Sequence, residues 1–95
     1  MNVQELAGIF RDIDAAVALE LDRAVKTHGL FLSPQEALLA LQGEVDEVQA
    51  AIAQSDMDGP HGYQSEMQQV AAVAIKALVS HMLRGRETPM EEVEL

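Results

Sequence analysis

The chain has 95 residues, a formal net charge of -10 and no cysteine, which bounds it to one small domain without disulfides. The excess of acid excludes a general affinity for nucleic acid phosphates or anionic membranes, both of which need clustered Lys and Arg, but it leaves room for a nucleotide held through metal ions. A domain of this size buries only about 60–65% of its unfolded surface, so oligomerisation is the expected source of added stability.

No apolar run approaches the roughly 20 residues needed to cross a bilayer. The opening MNVQELAGIFRDID is too acidic for a secretory signal, and the lack of cysteine suits a reducing compartment, so a cytoplasmic location is expected. The aromatic residues are Phe10, Phe31 and Tyr63, which leaves Leu, Val, Ile, Met and Ala to build the core, a composition that suits packed helices.

Leu6, Ile9, Phe10, Ile13, Val17, Ala24 and Val25 recur at helical spacing and predict a first helix over residues 3–28. Glu20 falls on its apolar stripe, either as a partner for a cation or as a side chain reaching out from the stripe's edge. Gly29 reads as the cap that ends this helix, with His28 beside it as a helix-end residue and Leu30 and Phe31 as apolar plugs at the turn.

Ser33-Pro34-Gln35-Glu36 starts a second helix, over residues 34–54, because Ser33 can cap the amide three residues on, Pro34 suits the first position and Glu36 completes a capping box. Leu38, Leu41, Val45, Val48 and Ile52 form one stripe and read as core. Ala37, Ala40, Glu44, Glu47 and Ala51 form a second stripe about 100° round, where small residues would let another backbone approach and place both carboxylates in a cleft. The alternative is that Glu44 and Glu47 are solvated helix residues.

Residues 55–62 read as a loop. The DMDG within it resembles the opening of a calcium loop, but the spaced oxygen ligands and closing Glu are missing, so a plain turn is expected. A third helix follows over residues 63–84, with Tyr63, Met67, Val70, Ala74, Ala77 and His81 as its core stripe and Glu66, Gln69, Val73 and Lys76 on the adjoining one. On such a stripe His81 reads as a core histidine. Arg84 and Arg86 are expected to close the helix with the charge its carboxyl end favours and Gly85 to break it, and Thr88-Pro89-Met90-Glu91 is a further capping box, so the acidic tail of residues 87–95 forms a short helix or is disordered. The whole reads as an all-α fold: a single domain over residues 1–86 whose three main helices form a bundle completed by oligomerisation.

Two helices thus carry polar pairs three residues apart, on the same side of their apolar stripes. A hard divalent cation such as Mg²⁺ prefers carboxylate and water oxygens, and Glu residues one turn apart can share it with a facing helix. Glu44, Glu47 and Glu66 offer carboxylates to such a metal, and Gln69 offers an amide oxygen, a neutral and weaker ligand. No Ser-His-Asp or Cys-His set, glycine-rich phosphate loop or zinc-ligand spacing is present.

From about Asp22 to Leu83, through HGLFLSPQEALLALQGEVDEV and SEMQQVAAVAIKAL, the chain resembles the MazG-like, all-α nucleoside triphosphate pyrophosphohydrolases, especially the short versions of phages and bacteria. The family's Glu-x-x-Glu motif falls on Glu44 and Glu47, and its Glu-x-x-Asp motif on Glu66 and Gln69, where this chain departs from the pattern. The resemblance implies a Mg²⁺-dependent homodimer or homotetramer that splits a nucleoside triphosphate into monophosphate and pyrophosphate, with Glu44 and Glu47 as catalytic metal carboxylates. Lys76 is then the basic residue best placed to meet phosphate, its alternative role being a solvated partner of a neighbouring acid. Gln69 predicts weakened metal binding that Gln69→Asp would strengthen, and keeps a second class of function in view: a non-catalytic helical adaptor or inhibitor acting through an oligomeric interface.

Overall fold

The computed structural model describes the backbone of residues 1–94 and the side chains of residues 1–84. The described residues form three helices and no strand: α1 (Val3–His28), α2 (Pro34–Ala53) and α3 (Tyr63–Glu94). The first two begin and end within a residue of where periodicity and capping place them. Asn2 accepts a hydrogen bond from the Glu5 amide at 2.8 Å, and Ser33 accepts one from the Glu36 amide at 3.1 Å. Glu36 reaches back as expected of a capping box, but to the Leu32 amide rather than to that of Ser33.

Gly29 ends α1 at φ 72°, ψ -170°, a region open essentially to glycine, while its N–H donates to the Val25 carbonyl. Helix α2 ends in a Schellman motif, with the Ser55 amide bonded to Ile52 and the Asp56 amide to Ala51. This places Ser55 at φ 56°, where glycine is the usual occupant. The turn that follows is a plain one, as expected. The Asp56 carboxylate accepts from the Gly59 amide at 3.0 Å, and a Cβ at Gly62 would stand 2.7 Å from the same carboxylate, so the loop closes on itself.

Helix α3 differs from its sequence-based limits, running on to Glu94 without a break at Gly85. A lone glycine costs a helix only about 1 kcal/mol relative to alanine, and flanking Leu83, Arg84, Arg86 and Glu87 are good helix formers. The capping box expected of Thr88 and Glu91 lies outside the residues whose side chains are described.

Both α1 and α2 pack on α3, and they do not pack on each other. The connector between them is tied down instead. The Phe31 N–H donates to Ser80 Oγ at 3.0 Å, Ser80 in turn donates to the Lys76 carbonyl at 2.7 Å, and the Arg84 guanidinium donates to the Phe31 carbonyl. A cleft is therefore left between α1 and α2, with α3 as its floor.

The faces that meet are only partly the expected ones: Val17 and Val48 of the expected stripes are buried. On α2 the buried residues are Ala37, Val48 and Ala51, whereas Leu38 (54% exposed), Val45 and Ile52 face outward and Leu41 is half-buried. On α3, Glu66, Ala72, Lys76 and Ser80 are buried, while Tyr63, Met67, Ala74 and His81 of the expected core stripe are exposed. On α1, Leu6, Ile9, Phe10 and Ile13 are exposed, and Val17 is the buried residue. Spacing identifies an apolar stripe without saying what covers it. Within one chain the helices meet through their small residues, because alanines let backbones come closest.

Ser80 is a buried hydroxyl with both hydrogen-bonding roles filled, so Ser80→Ala strands the Phe31 amide. Removing one partner of a buried bond costs about 1–3 kcal/mol, and urea denaturation of Ser80→Ala is expected to show a loss in that range.

Candidate metal centre

Glu44 and Glu47 lie one turn apart on α2, Glu44 on the face whose Ala37 and Ala51 pack inward and Glu47 at its exposed edge. Glu66 comes from the first turn of α3, where the tight Asp56–Gly62 turn delivers it opposite them. One carboxylate oxygen from each of the three can be chosen so that all lie within 4.8 Å of one another. Glu66 is only 6% exposed, Glu44 is half-buried and Glu47 is exposed, so the group opens to solvent on the Glu47 side.

The electrostatics of this group are unfavourable as it stands. Burial, then the charges of Glu47 and Glu66, push the Glu44 carboxyl above the usual carboxylate range. Glu66 is also pushed up, by a hydrogen bond with Glu47 that requires a proton, by burial and by the charge of Glu47. His61, mostly exposed, stands 3.5 Å from Glu66 and opposes that rise. Glu44 Oε2 is buried without a hydrogen-bond partner among the described residues. A buried acceptor with nothing to accept from, beside two further carboxylates, is the donor set that suits a hard divalent cation.

Gln69 lies one turn beyond Glu66 and is half-buried, lining the cleft beside Glu44. Its amide, followed by the Arg23 guanidinium, holds the carboxyl of Glu20 on α1 below the usual carboxylate range. Glu20 carries no motif of its own, and its one signal in the sequence is an acidic residue on an apolar stripe.

Lys76 is two turns further along α3 and 5% exposed. Its ammonium sits 4.3 Å from the centre of the Phe31 ring, and no carboxylate pairs with it among the described residues. That corrects the alternative of a solvated lysine paired with a neighbouring acid. It lines a cavity of about 450 Å³ between α1 and α2, whose walls include Glu20, Arg23, Phe31 and Glu44. A second cavity, of about 420 Å³, holds Glu47, His61 and Glu66. Glu20, Arg23, Glu44 and Gln69 line both cavities, so the acidic group and Lys76 belong to one continuous cleft. His28 lines the cleft at the end of α1, and His81 lies in an apolar groove on the other side of the α2–α3 pair.

Raised pKa values have a definite consequence for stability. The folded state holds protons on Glu44 and Glu66 that the unfolded chain would release near the ordinary value of 4.5, so stability is present below that value and is lost as pH rises through the raised ones. In EDTA, Glu44→Gln is therefore expected to melt higher than the unmodified protein at pH 7.5, by roughly 4–8 °C if about 1 kcal/mol of repulsion and desolvation is relieved. The gain should shrink towards pH 5, and thermal melts at the two pH values check both statements.

Comparison with known proteins finds no matching family model, no matching curated protein and no matching solved structure.

Proposed function

We propose that the chain is a Mg²⁺-dependent nucleoside triphosphate pyrophosphohydrolase of the MazG-like kind, or a nucleotide-binding relative of it with weakened catalysis. The observation that carries this reading is the convergence of Glu44, Glu47 and Glu66, from two helices, around a buried carboxylate oxygen without a partner. Magnesium bound there would supply a Lewis acid for phosphate oxygens and lower the pKa of a water. Glu44, Glu47 and Glu66 hold the charge that such an ion neutralises, and Glu47, the exposed member, faces the side from which substrate arrives. Lys76 offers a buried ammonium that no carboxylate among the described residues pairs with, which favours an anion such as phosphate further along the cleft. Arg23, 70% exposed at the cleft rim and held 2.5 Å from Glu20, adds a second positive charge there.

The outward apolar stripes support a second element of the reading: the partner is another copy of the chain, as a homodimer or homotetramer. Leu6, Ile9, Phe10 and Ile13 of α1 and Leu38, Val45 and Ile52 of α2 are too many large apolar side chains for a small protein to leave in water. The same stripes favour the alternative of a non-catalytic adaptor or inhibitor that works through such an interface. No helix searched, among the described residues, is long and apolar enough to cross a membrane.

Incubation with each nucleoside triphosphate and Mg²⁺ is expected to release pyrophosphate and monophosphate, slowly, and Glu44→Gln should lower the rate by about 100-fold or more, at least as much as outer-shell changes cost metal enzymes. No pyrophosphate from any nucleotide, with Glu44→Gln indistinguishable from the parent, leaves the adaptor reading. Light scattering at micromolar concentration should give two or four times the 10.3 kDa chain mass, and Val45→Glu should shift it towards one.

A further inference from the structure

We infer that α1 of a second copy of the chain occupies the apolar groove between α2 and α3, seated through Leu6, Ile9, Phe10 and Ile13, and that the exchange is reciprocal. This rests on the reading of another copy as the partner, and it names the two faces that dock.

The apolar stripe of α1 continues from Leu6 to Val25, but its burial does not. Leu6, Ile9, Phe10 and Ile13 are 45–67% exposed, Val17 is buried, and Leu21, Ala24 and Val25 are half-buried. Glu20 and Arg23 share a cavity with Glu66 and Gln69, and Thr27 and His28 share one with Lys76, so α1 and α3 run the same way. The residues before Val17 therefore extend past the Tyr63 end of α3, and no described residue covers their apolar side.

The groove lies across the α2–α3 pair from α1 and towards its other end, so α1 of the same chain does not reach it. It has a volume of about 460 Å³, and Leu38 and Leu78, more than half exposed, stand on its two walls. Leu6, Ile9, Phe10 and Ile13 stand at i, i+3, i+4 and i+7, the spacing by which an amphipathic helix fills such a groove. Leu6 to Ile13 and the wall from Pro34 to Leu41 each advance seven residues, so ridge and groove are both about 10.5 Å long. Two copies side by side in opposite directions bring the free end of each α1 to the groove of the other, and a twofold axis closes the pair. One such seat buries on the order of 800 Å², and two reach the roughly 1,600 Å² of a standard stable interface.

Charge selects the same occupant. Among the described residues no Asp or Glu lines the groove, in a chain that has 16 of them, and its ionisable members are His81 and Arg84. At about 100° per residue, Glu5 and Asp12 border one edge of the α1 stripe and Asp14 the other, with Arg11 on the far face. A helix edged with acid thus meets a groove that carries only basic groups. Two grooves set face to face leave both α1 stripes bare, and two α1 helices set together bring acid against acid and leave both grooves bare. The seated helix also backs the functional cleft, since Phe31 and Val73 line both the groove and the Lys76 cavity.

The chain has no cysteine, so thiols introduced on the two faces report contacts between those faces alone. Ile9→Cys and Ala74→Cys chains, with tags of different size, are co-expressed and treated with a short bis-maleimide, and each is also treated by itself. The mixed sample is expected to cross-link into a species that carries both tags, and neither variant by itself to cross-link. Phe10→Glu should bring the light-scattering mass of the otherwise unmodified chain down towards 10.3 kDa. Circular dichroism reports folding, and Phe10→Cys or Leu78→Cys replaces a cysteine variant that does not fold. If Ala74→Cys or Ile9→Cys by itself cross-links as strongly as the mixture, groove meets groove or helix meets helix, and the proposed seating is overturned while the second copy remains the partner. A dimeric parent whose mixed sample does not cross-link overturns it in the same way. A parent that scatters as one chain removes the second copy, and this inference with it.

Discussion

The three attachments of Phe31 to α3 are the constraint on which the rest of the structure depends. Its amide is held by Ser80, its carbonyl by Arg84, and its ring lies under the Lys76 ammonium. Among the described residues α1 and α2 do not pack directly on each other, so their separation is set by the packing of each on α3 and by the anchored connector. Anchoring a short connector at both its N–H and its C=O fixes the direction in which α1 leaves and α2 begins. The cleft is the space that this leaves, and Lys76 is buried in its floor because Phe31 covers it.

That arrangement inverts the usual use of an amphipathic helix. Most of the large apolar side chains of α1 and α2 face out, and the faces turned inward carry alanines, Val17, Val48 and charge. Alanine contacts bury little area per residue, and apolar burial is worth roughly 25 cal/mol per Å², so a single copy gains modest stability from its own packing. A set of carboxylates that repel one another reduces it further. Burial and like charge hold the carboxyls of Glu44 and Glu66 above the usual carboxylate range.

Charge is also sorted along the cleft. Glu44, Glu47 and Glu66 gather at the end near the Asp56–Gly62 turn, and Lys76 lies about three turns down α3 from Glu66, towards Phe31. Glu20 and Gln69 stand between, lining both parts of the cleft.

The sequence by itself determined the helices and their starts. Period and caps are local properties: Ser33 and Glu36 lie within one turn of each other, and Gly29 needs only its own backbone angles to end α1. The pairing of Glu44 with Glu47 was legible for the same reason, because one helix holds both, and Glu66 was legible by the repeat of the pattern. What the sequence misassigned was the face. Leu38, Val45 and Ile52 have core spacing, yet only tertiary structure decides whether a stripe meets another helix of the same chain or is left for a partner. Glu20 shows the limit most clearly. It is 49 residues from Gln69, no local rule links them, and the fixed Phe31 connector brings α1 to the side of α3 where both line one cleft. Gly85 shows the converse, a local break signal of about 1 kcal/mol overridden by the helix formers on either side of it.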